Sequence, residues 1–382
     1  MKARVKTFLN IRTEKPEILA NNNPGDKFYS PGDVIEVVEA VEGDKYKDNN
    51  IWYKLDDGTF VWSGGVAEVT APPALLAAET KRSFQWFKDL KIEEIWDQFN
   101  ERGENVTVAI LDTGYNIAND DLSPAVIGVN VIDGSPPIQM DDIKSLSIND
   151  NSKSGWHGTF CASIISARNS KKINIGIAPK SKLFVGKISK TGGLGTLGMD
   201  RIIEGIKWAV SSGAEIISIS FGVFRNEMPD DENYLTDIQA KLNEIIANKD
   251  VLIFASSGDN SPGSILEKER YPASLDGCVS VGASNNGELS EVTILSSKTI
   301  IHAQGVDVES YTKDNIPEKK TGTSMSVPIL AGVAALAVSH IKKKNNNVWD
   351  PADLLKKIYE TSTPINSSTK KIINPKALFQ TL

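Results

Sequence analysis

Three short segments of this chain set a hydroxyl, an imidazole and a carboxylate at the ends of apolar runs, where folding can bring such groups together. In Gly322-Thr323-Ser324-Met325-Ser326-Val327-Pro328, a serine precedes the small-residue apolar stretch Ile329 to Val338. Proline suits the first turn of a helix, where its missing N–H costs nothing, and a run apolar on nearly every face belongs inside a domain. A serine at the mouth of that helix lies beside unpaired backbone amides and the positive end of the helix dipole, where an anion is stabilised. A hydrolase places a nucleophile there; an ordinary N-capping serine also sits there. Val106 to Leu111 is a β-branched apolar run ending in Asp112-Thr113-Gly114, as a buried parallel strand ending at a catalytic edge does. Gly155-Trp156-His157-Gly158-Thr159 opens another apolar helix, Phe160 to Ser166, and His157 is one of only three histidines.

A lone Asp-Thr-Gly does not make an aspartic-protease site, which needs two carboxylates sharing a proton, and no second such motif exists here. The set of Asp112, His157 and Ser324, each at an element end, points instead to nucleophilic acyl transfer. A seryl hydroxyl is too weakly acidic to attack an amide unaided, so a neighbouring imidazole must take its proton.

The stretch from about Ile92 to about Thr363, roughly seven tenths of the chain, resembles a subtilisin-like serine protease (subtilase) domain. The resemblance rests on Ile110-Leu111-Asp112-Thr113-Gly114, His157-Gly158-Thr159, Gly176-Ile177-Ala178-Pro179, Tyr271-Pro272-Ala273 and the Ser324 motif, and on the chain order Asp, His, Ser. It implies an α/β fold with a mostly parallel sheet flanked by helices. It also implies hydrolysis of protein or peptide substrates through an acyl-enzyme, with Ser324 as nucleophile and His157 as base. Asp112 then holds the imidazole in one tautomer and stabilises its cation. The substrate would lie as an added strand in a cleft. Ser220-Phe221-Gly222 matches one wall of the specificity pocket, joined by Gly258, and Gly193-Leu194-Gly195 matches the opposing edge. Ordinary turn chemistry is the other reading of these glycines.

The chain departs from the family at the oxyanion site. Val251 to Ala255 reads as a buried strand leading into Ser256-Ser257-Gly258-Asp259-Asn260, where most subtilases have Gly-Asn and the side-chain amide donates to the oxyanion. An ionised carboxylate cannot donate and would repel the intermediate. Three readings stand open. Asp259 is a protonated donor, which burial and nearby negative charge permit; subtilase relatives such as one proprotein convertase and the sedolisins also carry Asp at the matching position, which the resemblance makes relevant. Alternatively Asn260 has slipped one place into the role, or the Ser324 amide acts alone. The rival to an active enzyme is a catalytically impaired subtilase-fold binding or regulatory protein; Asp259 argues for it, and the intact triad argues against it.

The chemistry requires no cofactor. Calcium is the one metal the resemblance suggests: Asp121 stands nine residues beyond Asp112, the spacing of a calcium ligand in many subtilases, and oxygen ligands suit that ion. The loop Arg168 to Asn174 that should complete the site instead carries Lys171 and Lys172.

Around these groups the chain divides into residues 1–70, 71–91 and 92–382. The first segment alternates short apolar strands with turn signals: Leu9-Asn10-Ile11-Arg12, Val34 to Val41, and Ile51 to Leu55 paired with Phe60 to Gly64 across Asp57-Gly58. It resembles a bacterial Src-homology-3-like barrel, whose ligands are peptides or cell-wall material, or which packs within its own chain. Trp52, Tyr53 and Trp62 read as core or strand-face aromatics. Ala71-Pro72-Pro73 is a linker, and Trp86, Leu90, Ile92, Ile95, Trp96 and Phe99 fall at helical spacing. The remainder is the expected peptidase domain, with a loop-rich insert, Ser123 to Ser154.

A net charge of −7 and a pI near 5.3 disfavour nucleic acid as a partner. Cys161 and Cys278 lie in apolar contexts, as buried thiols rather than a disulfide framework. No secretory signal follows Met1-Lys2-Ala3-Arg4-Val5-Lys6, no segment reads as a membrane span, and the cytoplasm is the expected location.

Overall fold

Alternation of apolar with polar residues builds the N-terminal strands, whereas continuous apolar runs build the strands that follow. The computed structural model describes residues 2–5, 9–13, 28–29, 34–46, 48–68, 84–114, 127–130, 138–139, 157–168, 176–189, 198–260, 269–311, 317–366 and 368–382. They form two units, Met1–Lys81 and Arg82–Leu382.

The first unit contains β1 (Lys2–Val5), β2 (Leu9–Asn10), β3 (Phe28–Tyr29), β4 (Val34–Tyr46), β5 (Asn49–Leu55), β6 (Phe60–Trp62) and β7 (Val66–Glu68). Five of these make an antiparallel sheet in the order β6-β5-β4-β1-β7, and β2 pairs with β3. Gly58, at φ 85°, lets the β5–β6 hairpin close, and Asp57 Oδ1 accepts the Thr59 N–H. Ile35, Val37, Leu55, Val61 and Val66 share one small core with Ala3, Val5 and Leu9. Trp52 is buried, its indole N–H donating to the Asp44 carbonyl, as befits a core aromatic. The outer edge of β6 is paired in turn, since Arg12 N–H donates to the Phe60 carbonyl at 2.8 Å and Phe60 N–H to the Arg12 carbonyl at 2.7 Å, which brings the segment after β2 alongside β6.

The second unit opens with α1 (Gln85–Asp89) and α2 (Ile92–Phe99), followed by β8 (Thr107–Asp112), β9 (Ile127–Asn130), β10 (Ile138–Gln139) and α3 (His157–Ser166). Next come β11 (Lys182–Lys187), α4 (Met199–Ser211), β12 (Ile216–Ile219), β13 (Val223–Phe224), α5 (Tyr234–Ile246) and β14 (Leu252–Ser256). Then follow β15 (Arg270–Tyr271), β16 (Cys278–Asn285), β17 (Glu288–Leu289), β18 (Ile301–Gln304), β19 (Val308–Tyr311) and β20 (Pro317–Lys320). The chain closes with α6 (Thr323–Lys344), α7 (Pro351–Thr361), β21 (Thr363–Pro364), β22 (Lys371–Ile372) and α8 (Pro375–Phe379). The main sheet has eleven strands in the order β10-β9-β11-β8-β12-β14-β16-β18-β22-β21, with β17 on β16. From β9 to β22 along that order every pairing is parallel.

Both faces of this sheet are covered, which is why its strands are apolar throughout. Val108 and Ile110 of β8 enter a core built with α1, α2, α3, α6, α7 and α8, while Ala109 and Leu111 enter a second core under α4 and α5. Burial of each of Val108, Ile110 and Leu111 contributes about 1.5–3 kcal/mol relative to leaving it exposed. The indole N–H of Trp86 donates to the Glu309 carbonyl and that of Trp96 to the Ile177 carbonyl, so the helically spaced aromatics anchor α1 and α2.

Two sequence expectations need correction. Pro328 lies in the second turn of α6, because the helix starts at Thr323 and already includes Ser324. Moreover, α6 at 22 residues does reach the length and hydropathy of a membrane span, but 94% of that apolar window is buried inside the protein, as a core helix requires.

Candidate active site

Strand β8 lies between β11 and β12, where the chain changes direction across the sheet, and sites of open α/β sheets form at the carboxyl end of such strands. Asp112 is that end, and its side chain is wholly buried. Its Oδ1 accepts the Thr113 N–H at 2.7 Å and lies 2.9 Å from Nδ1 of His157; Oδ2 lies 3.1 Å from the same nitrogen. An ionised carboxylate only accepts, so Nδ1 carries the proton and Nε2 becomes the basic nitrogen.

The two motifs lock together through backbone. The Thr113 hydroxyl accepts the Gly158 N–H at 3.1 Å. A Cβ on Gly158 would stand 1.9 Å from the Gly114 carbonyl oxygen, so α3 begins against the end of β8 only because residue 158 has no side chain. The imidazole of His157 packs on the Phe221 ring with centroids 5.0 Å apart. Burial pulls the His157 pKa down, but the Asp112 carboxylate outweighs it and holds the imidazole well above the usual histidine value.

Ser324 stands in the first turn of α6, half-buried at the end of an otherwise buried helix. Its hydroxyl donates to the Ser220 carbonyl at 2.9 Å, and the Ser220 hydroxyl donates to the Ser324 carbonyl at 2.8 Å. Pro328 explains the second bond: it has no N–H to offer the carbonyl four residues back, so that oxygen is open to Ser220. Cys161, one turn after His157 on α3, joins the sides: its sulfur is 4.0 Å from His157 Nδ1 and 3.6 Å from the Ser324 carbonyl. Burial pushes this thiol up. Asp112, His157 and Cys161 also place potential metal-ligating atoms within 4.8 Å of one another, but Nδ1 is already committed to the carboxylate.

Asp259 follows β14 and reaches the same helix mouth. Its Oδ1 accepts both the Thr323 N–H, at 2.7 Å, and the Thr323 hydroxyl, at 2.8 Å. The carboxyl thus supplies a partner to an amide that has none inside the helix. Gly322, at φ 153°, makes this approach feasible, since a Cβ there would lie 2.7 Å from Asp259 Oδ2. Asn260 is exposed, with its own N–H given to the Val292 carbonyl at 2.6 Å.

Successive contacts therefore connect Asp112 to His157, His157 to Phe221 and Cys161, Cys161 and Ser220 to Ser324, and Asp259 to the neighbouring Thr323. Gly222 and Gly258 continue the two segments that hold Ser324 and Thr323. Gly193, Leu194, Gly195 and Asp121 lie outside the described residues, as do Lys171 and Lys172. Sequence reading misses the reciprocal clasp of Ser220 on Ser324, for which the proline four residues beyond the serine is the available signal. It also misses Arg270, which fills the space between Gly222 and Gly258. The other two histidines stay out of this site. His302 is buried in β18, and loss of solvent pushes it down to about 4; His340 faces the buried Glu101 at 3.3 Å.

A hydroxyl, an imidazole and a carboxylate thus gather at the carboxyl edge of a parallel sheet, group types that can carry acyl transfer. The family model described as Subtilase family matches residues 103–378. The chain is 28% identical over 282 residues to a protein named subtilisin from Bacillus pumilus, covering 73% of this chain and 92% of that protein. It is 27% identical to the major intracellular serine protease of Bacillus subtilis (strain 168), covering 73% and 82%. Its fold matches the crystal structure of MycP1 with the N-terminal propeptide removed, at a TM-score of 0.60 and 24% identity over 77% of this chain and 95% of that one.

Proposed function

The chain belongs to the subtilase family and is a serine-type endopeptidase, and from that premise we propose that Ser324 is its nucleophile, His157 its base and Asp112 its orienting acid. The observation that carries this reading is the junction at Cys161, which touches both the imidazole held by Asp112 and the backbone of Ser324. At rest the hydroxyl leans on the Ser220 carbonyl. On attack it turns to His157, which takes its proton as the bond to the substrate carbonyl forms and later returns it to the leaving amine. Water then hydrolyses the acyl-enzyme by the same route.

The oxyanion takes the Ser324 N–H, which lies in a first turn where no helical carbonyl reaches it. Asp259 supplies the second donor through a protonated Oδ2, since Oδ1 is occupied by two donors from Thr323. Exposed Asn260, set aside by its backbone bond to Val292, does not serve. Ser220-Phe221-Gly222 and Gly258 form the walls of the specificity pocket. The N-terminal unit is read as a bacterial Src-homology-3-like module, on its antiparallel order and its Asp57-Gly58 hairpin, and takes a peptide or cell-wall ligand.

A fluorophosphonate probe tests the core of this reading. It is expected to label Ser324 in the folded wild type and to leave Ser324→Ala unlabelled; a folded wild-type protein inert to the probe and to a peptide library refutes it.

A further inference from the structure

A guanidinium sits between the two proposed pocket walls. Arg270 opens β15, whose pairing with β13 puts it opposite Phe224. Its Nη2 donates to the Gly222 carbonyl at 2.9 Å, and its charged plane lies 5.1 Å from the centre of the Phe224 ring. A Cβ on Gly222 would come within 2.9 Å of its Cγ and Nε, and one on Gly258 within 2.9 Å of its Cδ and 3.3 Å of Nη1. Both walls must therefore be glycine for this side chain to fit. Gly222 is two residues from Ser220, which receives the Ser324 hydroxyl, and Gly258 precedes Asp259, which holds Thr323. The cation thus flanks the nucleophile.

Arg270 is only 9% exposed, and its Nε is buried with no hydrogen-bond partner. Such a cation is costly unless paired. Glu227 and, when ionised, Asp259 act on it electrostatically, but neither forms an ion pair with it among the described residues. Asp259 Oδ1 is engaged with Thr323, and Glu227 Oε2 accepts the Phe224 N–H at 2.7 Å. A buried arginine left with unused donors beside a nucleophile fits a carboxylate brought in by the substrate, because the planar fork of N–H groups matches carboxylate oxygens.

We propose that Arg270 is a specificity-determining residue and that this protease cleaves after an acidic side chain, glutamate or aspartate, whose carboxylate pairs with the guanidinium between Gly222 and Gly258. The inference rests on the serine-protease reading and on those segments as pocket walls.

The test is a set of fluorogenic peptides identical except at the residue before the scissile bond, carrying Glu, Gln, Ala, Leu or Lys, turned over by the full chain. Glu is expected to exceed isosteric Gln in kcat/KM by about 10- to 100-fold, the range for a charge-assisted hydrogen bond. Arg270→Gln should bring that ratio within about threefold, mostly through KM, while Arg270→Lys keeps an acidic preference. Wild-type preference for Ala, with Glu no better than Gln, would mean that the guanidinium merely plugs the pocket and would overturn the proposal. So would a preference for Leu or Lys, or a Glu:Gln ratio untouched in a folded Arg270→Gln. Fluorophosphonate labelling separates the two levels: a labelled enzyme indifferent to substrate charge sinks this inference alone, whereas an unlabelled enzyme that cleaves none of the peptides sinks the protease reading and this inference with it.

Discussion

Replacing Asp259 separates two jobs that its carboxyl performs at once. Oδ1 takes two hydrogen bonds from Thr323, and Oδ2 is the proposed donor to the oxyanion. Asp259→Ala removes both. Loss of an oxyanion-hole donor lowers kcat by about 10²–10³, or about 2.7–4 kcal/mol. Leaving the Thr323 amide without its partner costs about 1–2 kcal/mol as for a lost helix cap, and about 2–4 °C in melting temperature per kcal/mol in a unit of this size. Asp259→Asn keeps the acceptor and supplies a permanent N–H, so it should melt near wild type and turn over at least as fast. The assay is kcat and KM for one peptide across pH, beside thermal unfolding monitored by circular dichroism. A folded Asp259→Ala with undiminished kcat would refute the donor role, and so would a folded Asp259→Asn as inactive as Asp259→Ala.

Further outcomes follow from the same geometry. His157 must be neutral to act, and Asp112 raises its pKa above 6.5 against the pull of burial, so kcat/KM should climb with pH along a limb above the ordinary histidine range. Asp112→Asn should move that limb down and lower kcat by about 10⁴; a pH profile unmoved by the substitution would contradict the ion pair. Glu101 is fully buried, bonded to the Ser339 hydroxyl at 2.7 Å and to Lys343 at 2.9 Å. Glu101→Ala leaves the buried Ser339 hydroxyl without its acceptor while the exposed Lys343 ammonium can turn to water, and denaturant titration should read a loss of about 1–3 kcal/mol. Fluorophosphonate labelling per folded molecule should not change. Chelation should leave turnover intact, because no proposed step passes through a metal; a fall in melting temperature on chelation would instead reveal a structural calcium site, with Asp121 as the ligand to replace first.

Much of this architecture was legible because burial leaves a strong pattern. The run Val106 to Leu111 reads as a strand apolar on both faces, and the two cores on either side of β8 are the reason. The small-residue helix after Ser324 is equally plain, but its start is not. Proline rules point to a first turn at Pro328, whereas the helix extends back to Thr323 because a carboxyl distant in sequence partners its first amide. Asp259 is visible as a departure from a family pattern, yet nothing local tells that one of its oxygens faces Thr323. Arg270 is invisible for the same reason. It stands just before the Tyr271-Pro272-Ala273 motif, but its meaning comes from Gly222, 48 residues away, and from the glycine at 258. The antiparallel partnership of Arg12 with Phe60 also escapes strand-by-strand reading, since turn chemistry fixes hairpins and says little about longer-range pairing.

The proposed nucleophile rides on a deeply enclosed helix, and this ties catalytic lifetime to the whole fold. Fraying of a peripheral strand cannot dislodge α6, because its body is enclosed from Thr323 to His340 on nearly every side. Heat should therefore abolish turnover in a single cooperative step coincident with global melting, rather than through an earlier, gradual loosening of the cleft.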